Sequence, residues 1–157
     1  MVDFSDVIVN DGVFALSRIN DHKIIIKNDN LSDFDLPGIK ISVPQGTVSD
    51  FITQKVIKHA TLLKYQTNAD AFNAFTTKKT DLVVSDKSYI MMMNLMNQNK
   101  FHVFGYNLLK EDVALAFRKQ DVELKDTFNT FLASWKKHGD LQKTYDYFFN
   151  SLAWHNH

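Results

Sequence analysis

IKISVPQGTVSDF, residues 39–51, carries an alternating apolar run through Pro44-Gln45-Gly46-Thr47 straight into residues with helical spacing. A strand that turns sharply into a helix is the repeating unit of an α/β fold. The neighbouring sequence repeats the pattern. Before it lie GVFALSRI (12–19) and KIIIK (23–27), and after it TLLKY (61–65) and DLVVS (81–85), all short, aliphatic or β-branched, and bounded by turn residues. Between the later runs, Phe51, Ile52, Val56 and Ile57, then Ala69, Phe72, Ala74 and Phe75, then Tyr89 to Met96 recur at helical intervals. The expected fold class is therefore α/β, with a sheet and crossover helices.

A further strand signal, FHVFGY (101–106), leads to DVALAFRK (112–119), and there the character changes to helix alone. Leu124, Phe128, Phe131, Leu132 and Trp135 are spaced by three or four, and Gly139 stands where a left-handed C-terminal cap belongs. Asp140 is placed to cap a second helix with Leu141, Tyr145, Phe148 and Phe149 on its apolar side. Pro37-Gly38 reads as a loop, Met91 to Met93 with Met96 as core filling, and Asp81 as surface.

Composition narrows the function classes. The 157 residues are 45% hydrophobic and 23% charged, with 18 basic side chains balanced by 18 acidic ones, which argues against nucleic acid or an anionic membrane as partner. The absence of cysteine excludes thiol nucleophiles, disulfides and Cys-ligated zinc. Six scattered histidines, of which His155 and His157 alone are close, give no metal-ligand spacing, and no cofactor is expected. The N-terminal MVDFSDVIVN has acidic residues where a signal peptide carries basic ones.

Two features can carry ligand chemistry. Gly46 allows close backbone approach, Thr47 offers a hydroxyl, and the amides of Thr47, Val48 and Ser49 at a helix start would face an anion with the favourable end of the dipole. The simpler reading of the same residues is a strand-to-helix turn capped by Thr47 or Ser49. Asp86 ends the run DLVVS at the sheet edge where α/β folds bind ligands, and a carboxylate there can hold an ammonium. It can equally cap the helix that follows. Together, Gly46 to Ser49 and Asp86 suit the two charged ends of an amino acid, which favours binding over catalysis.

Four segments in order, VDFSD (2–6), DLPGIKISVPQGTVSDF (35–51), NADAFNAFTTKKTDLVVSD (68–86) and DVALAFRKQDVELKDTFNTFLASWKKHGDLQKTYDYFF (112–149), resemble the family-3 extracellular solute-binding proteins of amino-acid ABC importers. The resemblance implies a periplasmic-binding-protein-like type II fold, with residues 1–13 as a remnant of lobe 1 and hinge. Residues 14–111 would be lobe 2, and 112–157 the return hinge strand and C-terminal helices of lobe 1. Thr47 and its neighbouring amides would hold a ligand carboxylate, Asp86 an α-ammonium. The implied partners are a small amino-acid-like ligand and a transporter in the membrane that reads ligand-driven closure, with a periplasmic or extracellular location.

Relative to that family the chain lacks most of the N-terminal lobe, including its Ser/Thr pair, aromatic platform and Arg. The helices 121–138 and 141–151 would then expose apolar faces, so the chain is expected to form a homodimer, exchange elements with a neighbour, or receive its partner separately. The family's cyclohexadienyl dehydratase branch is the enzymatic alternative, although its acidic residue is absent near Ser88 and Tyr89. A ligand-free interaction module of the same fold is the third reading.

Overall fold

A computed structural model describes residues 1–19 and 30–156. Its strands are β1 (Val2–Phe4), β2 (Val9–Arg18), β3 (Lys40–Pro44), β4 (Thr61–Tyr65), β5 (Leu82–Asp86), β6 (Phe101–Val113) and β7 (Ala116–Arg118). The helices are α1 (Val48–Val56), α2 (Asn68–Thr76), α3 (Lys87–Met96), α4 (Val122–Lys137) and α5 (Asp140–Phe149). The strand expected at KIIIK (23–27) lies outside the described residues. The chain divides into two compact units, Gly12–Leu109 and Met1–Asp11 with Lys110–His157, and β2 and β6 carry the chain from one to the other.

The larger unit is a mixed five-stranded sheet in the order β4-β3-β5-β2-β6. β3 runs parallel to both β4 and β5, with Ile41 opposite Leu62 and Leu82, whereas β2 is antiparallel to β5, Val13 facing Asp86. Because side chains alternate along a strand, the sheet sorts its residues onto two faces. Ile41, Val43, Leu82 and Val84 join Ile52 of α1 and Phe34 in one core cluster. Val83 joins Leu16, Ala71, Phe75 and Ile90 in the other, against α2 and α3. Ser42 also faces α2, where its hydroxyl lies 2.9 Å from the Ala71 carbonyl and 3.0 Å from that of Leu82. A hydroxyl buried among apolar groups is tolerated only when so satisfied.

Asp81, expected at the surface, is 93% buried. Its carboxylate accepts from the Lys40 amide at 2.8 Å and pairs with Arg18 at 3.4 Å, which joins the starts of β3 and β5 to the end of β2. Arg18 in turn donates to the carbonyls of Phe75 and Thr80 and lies over the Phe75 ring. The methionines also depart from expectation. Met93 packs on the α2/α3 core, but Met96 is 39% exposed, and the buried position between them is Asn94. Its side-chain oxygen accepts from the Phe101 amide at 3.2 Å, tying the end of α3 to the start of β6.

The smaller unit pairs β1 with β7, antiparallel, and packs α4 beside α5. Lys125 of α4 bonds Asp3 at 2.6 Å, and Asn129 accepts from the Asp6 amide at 2.9 Å, so polar contacts fix α4 against the first strand. Gly139 adopts φ +76 between the two helices, as its position predicts, but it rather than Asp140 is the N-cap of α5. Asp140 is the first residue of the helix, with its carboxylate paired to Lys143. Along α4 only Leu132 is buried, α5 buries none, and Leu124 (59%), Phe131 (54%) and Phe148 (46%) are exposed.

Candidate functional site

The site lies within the larger unit, at the carboxyl ends of the adjacent parallel strands β3 and β5. Beyond Pro44 the chain turns through Gly46 at φ +74, a left-handed conformation that costs a side-chain-bearing residue. Thr47 then caps α1: its hydroxyl accepts from the Asp50 amide at 3.2 Å and donates to the Pro44 carbonyl at 2.8 Å. The capping reading of Thr47 thus describes its side chain. What remains for a ligand at this turn is the set of main-chain amides at the start of α1.

From its sequence position Gly46 allows close backbone approach, with the donating amides assigned to residues 47–49. Its own amide is occupied, donating to the Asp50 carboxylate at 3.0 Å. Val48 is 45% exposed and Ser49 is buried.

Asp86 terminates β5 on the same face as Leu82 and Val84, the face covered by α1. Although it occupies the N-cap position of α3, its side chain makes no capping bond. Instead Oδ1 accepts from the Ser49 hydroxyl at 3.0 Å. Two residues 37 positions apart, read separately as an anion-binding helix start and a cation-binding carboxylate, are therefore in direct contact. On the opposite face Ser85 donates to Asn68 at the start of α2, at 2.8 Å. Lys87 lies with Nζ 5.8 Å from the Phe14 ring centre.

Two residues were missed by sequence reading. Asp50, in the first turn of α1 and 96% buried, also accepts from Gln54 at 2.8 Å and pairs with Lys64 of β4 at 3.1 Å. Burial pushes its carboxyl upward, but the Gly46 amide, Lys64 and Gln54 outweigh that and hold it below the ordinary carboxylate range. No local signal marks this arrangement, because Lys64 sits on another strand. Among the described residues no three His, Cys, Asp or Glu side chains gather as a metal site, and no helix is long and apolar enough to cross a membrane.

No family model and no curated protein matches the chain. Solved structures do. An ancestral cationic amino-acid solute-binding protein is 26% identical over 94% of this chain and 62% of its own, with a TM-score of 0.82. An ancestral arginine-binding protein bound to arginine is 29% identical over 94% of this chain and 64% of its own, at 0.74. A putative binding component of an ABC transporter from Wolinella succinogenes, complexed with lysine, superposes at 0.85 with 22% identity over 99% of this chain and 66% of its own. The chain thus spans less than two-thirds of the length of the first of these.

Proposed function

We propose, for a chain that has the type II periplasmic-binding-protein fold and the motif order of the family-3 amino-acid solute-binding proteins, that it binds an amino acid or similar small polar solute. The observation that carries the reading is the Ser49–Asp86 hydrogen bond. It sets a carboxylate beside the amide-lined start of α1, and that pairing of opposite polarities fits a zwitterion. The α-carboxylate would sit on the amides of Thr47, Val48 and Ser49, and the ammonium against Asp86. Gly46 serves by its conformation alone.

The neighbours are binding proteins, and this reading is binding without turnover. Delivery to an ABC importer, a periplasmic or extracellular location, and β2 with β6 as hinge strands belong to the same proposal. Dimerisation or element exchange through the exposed faces of α4 and α5 completes it, the measure being sedimentation at high concentration.

The decisive experiment is thermal unfolding of the full chain against each proteinogenic amino acid, with L-arginine, L-lysine and L-glutamine first. A melting temperature that rises with ligand, and no longer rises in Asp86→Ala, is expected. Flat profiles across the whole panel to millimolar concentration would overturn the reading.

A further inference from the structure

Asp50 presents a physical conflict. It places a negative charge, 96% buried, in the first turn of the helix whose amino end is the proposed anion site. Charge alone would favour this placement for the helix but oppose a ligand carboxylate nearby. Two contacts resolve the conflict. The carboxylate Oδ2 holds the Gly46 amide, fixing the residue whose left-handed backbone turns β3 into α1. The other oxygen, Oδ1, meets Lys64 Nζ at 3.1 Å and Gln54 Nε2 at 2.8 Å. The Lys64 side chain is 36% exposed, so its cation keeps contact with solvent while it pairs with Asp50. Register places it there: Lys64 pairs with Val43 and Tyr65 with Pro44, and the Tyr65 carbonyl accepts from the Gln45 amide at 2.7 Å. Both flanks of the turn are thereby anchored, Gln45 to β4 and Gly46 to α1.

We propose that Asp50 and Lys64 are positioning residues of the ligand site, Asp50 locking the Gly46 turn that presents the amides of residues 47–49, and Lys64 cancelling the charge Asp50 would otherwise set against an anion. The ligand half of this inference rests on the amino-acid-binding reading; the locking half does not. The two therefore have separate measurements on the 157-residue chain.

Amide hydrogen exchange without ligand tests the lock. In Asp50→Ala the Gly46 amide is expected to exchange about tenfold faster or more, in Asp50→Asn to stay protected because the amide oxygen still accepts, and Val83 and Val84 of β5 to remain unchanged as a check on folding. Unaltered Gly46 exchange in Asp50→Ala would overturn the lock. Calorimetric titration with L-arginine tests the charge. Lys64→Gln is expected to weaken binding about fivefold at neutral pH, Lys64→Arg to retain it, and the neutral pair Asp50→Asn with Lys64→Gln to recover it. Were Lys64 merely structural, Lys64→Gln would lower the melting temperature with the dissociation constant unmoved, and that result would overturn the charge role. A wild type silent toward every amino acid would sink the binding reading and the charge role with it, leaving the exchange result to decide the lock.

Discussion

Ser49 Oγ lies 3.0 Å from Asp86 Oδ1, bridging the first turn of α1 and the end of β5. Strand alternation explains why. Asp86 shares its face with Leu82 and Val84, which pack against α1, and a polar residue on that face at the strand's end meets the first turn of the helix that covers it. Asp86 also holds the N-cap position of α3 without a side-chain capping bond.

Asp86→Asn keeps the shape and the acceptor for Ser49 but removes the charge. Amino-acid-induced stabilisation is expected to disappear while the unliganded protein melts within a few degrees of the wild type, since the Ser49 bond is retained and the change from a charged to a neutral acceptor costs about 1 kcal/mol. Ser49→Ala releases the carboxylate from its orienting bond and is expected to weaken ligand binding about fivefold, again for about 1 kcal/mol. Titration calorimetry of both variants checks this. Full ligand response in Asp86→Asn would place the ammonium elsewhere.

The turn before α1 separates conformational from hydrogen-bonding requirements. A Cβ added at Gly46 meets nothing within 4 Å, so Gly46→Ala carries only the cost of the left-handed backbone, about 1 kcal/mol. Thr47→Ala loses the cap to the Asp50 amide and is expected to cost a similar amount, about 1 kcal/mol, with Thr47→Ser recovering most of it. Urea unfolding of the three variants measures the differences. A neutral Thr47→Ala would mean that water replaces the cap without loss.

Local pattern made much of this fold legible. TLLKY (61–65) is β4 without adjustment, DLVVS (81–85) differs from β5 by one residue at each end, and of the two caps offered for α1, Thr47 or Ser49, Thr47 is the one used. Period-two burial and capping chemistry are written within a few residues. Asp81 was misread because its partner is Arg18, 63 residues away, and nothing near Asp81 announces a buried cation. Asn94 illustrates the same limit: a helix read as a methionine face buries an amide because β6 begins beside it with an amide to satisfy. In the candidate site the residues were legible singly. The Ser49–Asp86 and Asp50–Lys64 contacts were not, because which of two strands lies beside α1, and in what register, is decided by tertiary pairing.

Asp81 should be among the positions of the larger unit least tolerant of truncation. Asp81→Ala leaves the Lys40 amide without its 2.8 Å acceptor and the Arg18 guanidinium without its carboxylate, for an expected loss of about 3 kcal/mol. Arg18→Met retains the packing over Phe75 and is expected to cost less, about 2 kcal/mol. The double variant should be less destabilised than the sum, since both single changes remove the same Arg18–Asp81 interaction. Strict additivity in urea unfolding would show that the pair contributes no coupling.

Asp35 provides the pH dependence. Its carboxylate accepts from the amides of Lys58, His59 and Ala60 at 2.8, 2.5 and 2.9 Å and faces His59 Nδ1 at 3.0 Å, fastening the chain after α1 to the 31–34 turn. Burial pushes the carboxyl upward, yet these four bonds dominate and hold it far below its ordinary value of 3.8. A carboxyl lowered in the folded state binds its proton more readily when unfolded. Its contribution is therefore complete above the ordinary value and is lost as pH falls through and below it toward the folded value. Asp35→Asn, which keeps one acceptor and loses the charge, should cost about 2 kcal/mol at neutral pH. The gap between wild type and variant should narrow once pH drops below 3.8. Urea unfolding of both proteins at neutral pH and across the acid range measures that gap, and a gap that stayed constant or widened with acid would show that the charge of Asp35 is not what fastens α1.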